Sequence, residues 1–313
     1  MGAHNMKIAI VTGANSGLGF ETTLALSKEG YTVVLGCRSQ EKAETAMNRI
    51  KQQIPSANLV FIKLNLIDRQ VIRDFANSFS KQFNHLDLLV NNAGVMGPEY
   101  TITPNNLELQ FDANHIGHFY LTSLLFDKLD QAFETRIVNV SSFAGKRETA
   151  DIHFDNINFE GTYDEGPQLY GLSGMVAYQQ SKLANILFTM ELKDRLAATE
   201  KKVKAIVVHP GRSGTGLMRN MPTSIQILLP IIRRLPFLGA FLNISQPAEG
   251  AQSLLYAALE KNVKAGDFIG PTGKAEQVGK PGKVELPPKA FDKALSSKLW
   301  AFSENELGVQ FNV

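Results

Sequence analysis

The sequence predicts an α/β protein: a single doubly wound parallel sheet with helices on both faces and an apolar loop insertion on the ligand side. Three observations predict it. Short apolar runs alternate with helical stretches of roughly 10–20 residues along most of the chain, which demands right-handed crossovers and a sheet covered on both faces. A glycine-rich turn, Thr12–Gly19, stands between the first apolar run and the first helical stretch. No Pro/Gly/Ser linker, charge run or internal repeat divides the chain, so residues 6–313 are expected to form one domain.

Lys7–Val11, apolar throughout after its lysine, reads as a buried first strand. The glycine turn follows, then an apolar-periodic helix from about Gly17 to Lys28, with Gly30 where a helix C-cap belongs. Thr32–Gly36 is a second strand and Gln40–Gln53 a polar-faced helix. Leu59–Leu64 is a third strand, followed by a helix over about Arg69–Phe83, and Leu86–Val90 is a fourth strand. One long helix is expected over about Leu107–Leu129, then a fifth strand at Arg136–Val140. The helix bearing Tyr178 and Lys182 runs to about Ala198, and Lys204–Val208 is a sixth strand. Pro247 opens a helix to about Glu260, and Asp267–Gly270 reads as a last short strand before a C-terminal extension over about 271–313.

Two segments exceed this frame and read as covers over a cleft. One is the excursion between Ser142 and Tyr178. The other is a lid at about 213–246, whose apolar stretch is broken by Pro222, Pro230 and Pro236 and carries Arg233-Arg234. Three readings fit the part at 223–244: a lid over a greasy substrate, packing on the core or a second subunit, and peripheral contact with a membrane.

The chain has 313 residues, 44% hydrophobic and 20% charged, which suits one large globular domain. A net charge of +2 is too small to imply a nucleic-acid partner. One cysteine, Cys37, excludes an internal disulfide and fits a reducing, cytoplasmic setting. The segment Met1–Asn5 has no signal-peptide character and is set aside as an extension. No apolar run reaches the ~18 residues that a membrane span needs.

Chemistry concentrates at the predicted strand ends, where doubly wound sheets bind ligands. In Gly13-Ala14-Asn15-Ser16-Gly17-Leu18-Gly19 the glycines permit a tight turn and close approach of backbone N–H groups to a pyrophosphate, with the helix dipole favouring the anion. After the second strand stands Arg38 and no carboxylate. An arginine pairs with a 2′-phosphate that an acid would repel, so NADP(H) is favoured over NAD(H); a solvated surface charge is the alternative. Asn91-Asn92-Ala93-Gly94 follows the fourth strand and is either a ligand-facing loop or an ordinary turn.

Ser141-Ser142 ends the fifth strand, as a turn cap or as a hydroxyl that polarises a carbonyl. Asn114 is an unfavourable residue inside a helix, and either satisfies backbone or holds a relay water near Lys182. His115 and His118 read as packing or surface histidines rather than metal ligands. Tyr178 and Lys182 lie i, i+4 on one helix face, where a neighbouring ammonium is expected to lower the phenol from its reference pKa of about 10.

Together Thr12-Gly13-x-x-x-Gly17-x-Gly19, Asn91-Asn92-Ala93-Gly94, Asn114, Ser142, Tyr178-x-x-x-Lys182 and His209-Pro210-Gly211 resemble the motifs of the short-chain dehydrogenase/reductase superfamily, over about Met6 to Phe268. The stretches Ala113–Phe119 and Tyr178–Phe188 look like its retinol dehydrogenase-like branch.

The resemblance implies a Rossmann fold and an oxidoreductase that moves hydride between NADP(H) and a lipophilic aldehyde, ketone or alcohol. It implies catalytic roles for Asn114, Ser142, Tyr178 and Lys182. It implies cofactor contacts at Gly13, Asn15, Ser16, Gly17, Leu18, Gly19, Arg38, Asn65, Leu66, Asn92, Ala93, Gly94, Tyr178, Lys182, Pro210, Gly211 and Ser213. Asn65-Leu66 stands where relatives commonly carry Asp-Leu or Asp-Val. Relatives often pair through the helices at Leu107–Leu129 and Tyr178–Ala198, so a monomer or a homodimer is expected, cytoplasmic or peripheral to a membrane.

Thr215–Arg219 is also similar to a loop of the light-dependent protochlorophyllide reductases, though the cysteine of that family after the lysine is missing here. A non-catalytic NADP(H) sensor on the same fold, or a lipid-binding module, are the readings from other functional classes.

Overall fold

The computed structural model describes residues 6–129, 135–161, 172–211 and 246–313. The expected lid at about 213–246, apart from its last residue, lies outside the described residues, and with it Ser213 and Thr215–Arg219, as does part of the excursion before Tyr178.

The described strands form one eight-stranded sheet in which, numbered in chain order, the third, second, first, fourth, fifth, sixth, seventh and eighth strands lie side by side. β1 (Ile8–Thr12), β2 (Thr32–Cys37), β3 (Leu59–Lys63), β4 (Leu88–Asn91), β5 (Thr135–Val140), β6 (Val203–Val208) and β7 (Phe268–Pro271) run parallel. The strand order reverses between β1 and β4, which opens a crevice at their carboxyl ends.

The core lies in two layers because strand side chains alternate. Ile8 and Ile10 face one layer with Phe75, Phe79, Phe119 and Leu192, while Ala9 and Val11 face the other with Leu26, Ile50 and Leu254. The helices α1 (Gly17–Lys28), α2 (Gln40–Gln53) and α3 (Arg69–Gln82) stand within a residue of their expected bounds. The helix Leu172–Ala197 takes in Leu172-Ser173-Gly174, which the sequence reading left in the excursion.

Two expectations are corrected. The single long helix over Leu107–Leu129 is in fact a turn of helix at Leu109–Phe111, a π-helical segment Asp112–Ile116, the helix Gly117–Leu125 and a 3-10 turn Phe126–Lys128. The break follows from tertiary anchors. Asp112 accepts from Arg69, from Thr103 Oγ1 at 2.7 Å and from Asn105 Nδ2 at 2.8 Å. Gly117 backs so closely onto the Leu66 carbonyl that a Cβ there would overlap it.

Nor is the strand near Phe268 the last. An antiparallel edge strand, β8 (Pro281–Val284), follows it, so the sheet is mostly rather than wholly parallel. The C-terminal extension holds a further helix, Lys293–Leu307, with Asp292 capping its N-terminus. Its Trp300 packs against Phe119 at 5.0 Å and stacks on Phe311 at 4.9 Å between ring centroids. That extension covers one face of the helices at Gly117–Leu125 and Leu172–Ala197.

Candidate active site

The crevice is built first by the glycine turn. Gly13 (φ 68) and Gly17 (φ 57) are left-handed, a conformation that side-chain-bearing residues avoid. A Cβ on Gly19 would overlap the Gly13 carbonyl oxygen and come within 2.7 Å of Asn92 Nδ2. α1 begins at Ser16 with no side-chain cap and no acidic residue in its first turn, which leaves its N–H groups and dipole for an anion. Cys37 lies beneath this turn, where burial pushes its thiol up to about 11 and makes it a poor nucleophile. Gly19→Ala is expected to cost about 1–3 kcal/mol by overpacking and to lose dinucleotide binding, read by urea midpoints and equilibrium titration.

Thr12 joins this turn to β4. Its Oγ1 accepts from the Asn92 and Ala93 backbone N–H groups at 2.9 and 2.8 Å, and its carbonyl accepts from Asn92 Nδ2 at 2.7 Å. His118 Nε2 lies 2.9 Å from Thr12 Oγ1, and His118 Nδ1 lies 3.0 Å from the Asn114 carbonyl. That carbonyl can only accept, so Nδ1 carries the proton and Nε2 accepts the threonine O–H. Burial holds the ring neutral, with its pKa lowered to about 4. His115 is likewise buried, its pKa lowered to about 3, with Nε2 3.0 Å from Ser303 Oγ. Neither histidine is a surface residue.

Asn114 sits in the π-helical segment, a distortion often found at functional sites. Its Oδ1 accepts from Val95 N–H at 2.8 Å, and its Nδ2 donates to the Val95 carbonyl at 2.9 Å and to Ser181 Oγ at 3.0 Å. The side chain thus ties the loop after β4 to the Tyr178 helix, with its polar atoms already engaged. Gly94 lies where a Cβ would be 3.0 Å from Asn114 Oδ1 and 3.5 Å from Lys182 Nζ.

The two serines after β5 part company. Ser141 is buried and donates to the Lys182 carbonyl at 2.7 Å, a structural tie between strand end and helix. Ser142 Oγ accepts from Ala144 N–H at 3.2 Å and is hydrogen-bonded to the Tyr178 phenol. Gly145 allows this turn to lie directly on the helix, since a Cβ there would be 2.5 Å from the Lys182 carbonyl carbon.

Lys182 Nζ stands 5.7 Å from the Tyr178 ring centroid and donates to the Val140 carbonyl at 3.0 Å. Burial lowers its ammonium to about 8. The expected fall in the Tyr178 pKa is corrected: burial raises it above its usual value, and the Ser142 hydrogen bond only opposes that rise. The phenol therefore keeps its proton across the neutral range.

The structure brings Gly13–Gly19, Asn92–Gly94, Asn114, Ser142, Tyr178 and Lys182 together around one crevice. Arg38 is exposed beyond β2, with no ion pair or hydrogen bond among the described residues, and Asn65-Leu66 follows β3 at the same end of the sheet. Pro210-Gly211 follows β6. Residues that the sequence reading passed over are Ser181, which meets Asn114, and Lys146 and Glu276, whose nitrogen and oxygen atoms pair at 2.6 Å across 130 positions. No local signal marks such a distant pair.

The family model described as short chain dehydrogenase matches residues 7–153. The chain is 36% identical to mouse retinol dehydrogenase 14 over 97% of its own length and 86% of that protein. The chain belongs to the short-chain dehydrogenase/reductase superfamily, in its retinol dehydrogenase-like branch. Mouse retinol dehydrogenase 11 is 40% identical over 83% of this chain and 75% of its own. A crystal structure of an uncharacterized protein from Mycobacterium paratuberculosis superposes with a TM-score of 0.77 at 31% identity, covering 98% of this chain and 95% of that one. The fold is shared more distantly with an actinorhodin polyketide ketoreductase solved with NADPH, at a TM-score of 0.60 and 22% identity over 83% of this chain and 93% of that one. As a member of this superfamily the chain is an oxidoreductase that uses a nicotinamide cofactor. Among the described residues no helix is long and apolar enough to cross a membrane.

Proposed function

We propose that this dehydrogenase is an NADP(H)-dependent reductase of lipophilic carbonyl compounds, with Tyr178 as proton donor. The hydrogen-bonded Ser142–Tyr178 pair beside Lys182, next to the glycine turn, is the observation that carries the reading. The glycine cradle and the uncapped start of α1 fit a pyrophosphate, and exposed Arg38 fits a 2′-phosphate. When bound, the nicotinamide supplies or accepts hydride at the substrate carbon.

The chain's own residues do the remainder. Ser142 and Tyr178 converge on one oxygen, so two hydroxyls polarise and orient the carbonyl. Tyr178 gives its proton to that oxygen. Lys182 supplies positive charge beside the phenol and favours the phenolate as the proton leaves. Asn114, fixed to Val95 and Ser181, holds the backbone around Lys182. A protonated Tyr178 favours the reductive direction at neutral pH.

The apolar stretch at 223–244 and the naming of the curated relatives after an isoprenoid alcohol support a greasy substrate. Aldehydes and ketones of graded chain length, followed by NADPH absorbance with NADH as control, test the reading. Rates that rise with chain length and with NADPH support it, and an NADH-preferring, short-chain profile overturns it.

The lysine sets the pH dependence. With its ammonium lowered to about 8 and the phenol raised, the alkaline limb of kcat/KM is expected near pH 8, falling about tenfold per unit above it. A limb near 10 or higher would assign it to the tyrosine instead. Stability moves the other way. The unfolded chain keeps this proton up to its ordinary 10.5, so the penalty for burying the ammonium is full below about 8 and disappears as pH rises through that window.

A further inference from the structure

Glu276 lies on the loop between β7 and β8, far in sequence from every motif of the crevice. Two independent features single it out. Ala275 (φ 49) and Glu276 (φ 54) are consecutive non-glycine residues in the left-handed region, a strained arrangement that persists only where the surroundings enforce it. The Glu276 carboxylate also bridges two segments that border the crevice. Lys146 Nζ donates to both its oxygens, at 2.6 and 2.7 Å, and His209 Nε2 lies 3.3 Å from Oε2.

Both partners are held in turn. Lys146 closes the turn Phe143–Lys146 that begins directly after Ser142. His209 is fully buried and its Nδ1 accepts from Gly211 N–H at 3.3 Å, so the ring proton sits on Nε2, which is 3.3 Å from the carboxylate and makes no aligned hydrogen bond among the described residues. The same loop presses on Gly211: a Cβ there would overlap the Gln277 carbonyl oxygen and come within 2.7 Å of Pro271 Cγ. Phe143 and His209 lie edge to face at 6.3 Å, which closes the ring of contacts.

We propose that Glu276 is a positioning residue: its carboxylate clamps the Ser142 turn to His209-Pro210-Gly211 and so fixes the carbonyl-polarising hydroxyl relative to the nicotinamide end of the cofactor groove. This rests on the reductase reading above. Glu276 acts through Lys146 and His209 and need not touch substrate. The strain at Ala275-Glu276 is then the cost of aiming one carboxylate at two partners on different segments, the turn after β5 and the loop after β6.

The test uses the full chain and the variants Glu276→Gln, Lys146→Met, the double variant and Lys146→Arg. A misplaced hydroxyl is expected to lower kcat by roughly 10- to 100-fold, with NADPH affinity within about threefold of wild type because the glycine turn and Lys182 are untouched. The double variant should be no worse than either single one, since the two residues serve one bridge. Lys146→Arg, which can still pair bidentately, should keep kcat within about threefold. Multiplying effects in the double variant, or a Glu276→Gln enzyme with normal kcat, overturn the proposal.

A second readout needs no turnover. Amide hydrogen exchange of 143–147 and 209–211 is expected to accelerate together in Glu276→Gln; unchanged exchange in either segment overturns the clamp. A wild-type chain inert toward every carbonyl offered would instead sink the reductase reading while leaving this exchange result standing. Lys146→Met attacks the bridge from its other end, so a folding failure of one variant leaves the other to decide.

Discussion

Tyr178→Phe is expected to lower carbonyl reduction by roughly 10²–10⁴-fold, the contribution of a positioned proton donor, while NADPH affinity stays within about threefold. The substitution removes one hydroxyl from a ring already held in the helix Leu172–Ala197 and leaves the Lys182–Val140 contact in place. Ser142 then loses its phenol partner but keeps the bond from Ala144 N–H, so the turn after β5 stays formed. Single-turnover absorbance at the nicotinamide, beside an equilibrium titration of the dinucleotide, separates chemistry from binding. Turnover within threefold of wild type would remove the phenol from the mechanism. A parallel collapse of binding would show that the variant disturbed the groove rather than the proton transfer.

Arg38→Asp is expected to carry the second large effect, on cofactor choice. Charge-assisted hydrogen bonds to a phosphate are worth about 1.5–3 kcal/mol, or roughly 10- to 100-fold in affinity. An aspartate also repels the 2′-phosphate and can instead accept from a ribose hydroxyl. NADPH should therefore bind roughly 10- to 100-fold more weakly, with NADH equal or better. Arg38 is exposed and makes no hydrogen bond or ion pair among the described residues, so the fold loses no contact there and the thermal midpoint should hardly move. An unchanged NADPH-to-NADH ratio would return Arg38 to the status of a solvated surface charge.

Much of the crevice was legible in the sequence because its parts are local. The glycine turn, the strand ends and the i, i+4 pair Tyr178 and Lys182 are written in spacings of a few residues, and β1 to β6 follow from apolar runs. What escaped depends on tertiary partners. The π-helical segment around Asn114 is set by Leu66, Arg69 and Val95, none of them in the same element. The direction of the Tyr178 pKa turns on burial, which spacing does not report; the lysine alone suggested the opposite sign. β8 contains Pro281 and Gly282, poor strand formers that an antiparallel edge position tolerates. The Lys146–Glu276 pair needs a loop in an unusual backbone conformation and so left no pattern at all. Spacing alone does not separate Ser141 from Ser142; the family resemblance pointed to Ser142, and the Lys182 carbonyl engages Ser141.

Thr12 and Asn92 are 80 residues apart in the chain, yet their hydrogen bonds close the seam where β1 meets β4. Parallel strands so far apart pair only after a long loop has been closed, a step that slows folding more than it costs stability. A nascent chain that ends before β4 therefore has the phosphate turn without its back wall. Cofactor can reward only molecules that have completed this join, adding about 2.7 kcal/mol of resistance to unfolding at a hundredfold excess over its dissociation constant. Cellular dinucleotide would in that way act as a late quality check on the maturing polypeptide.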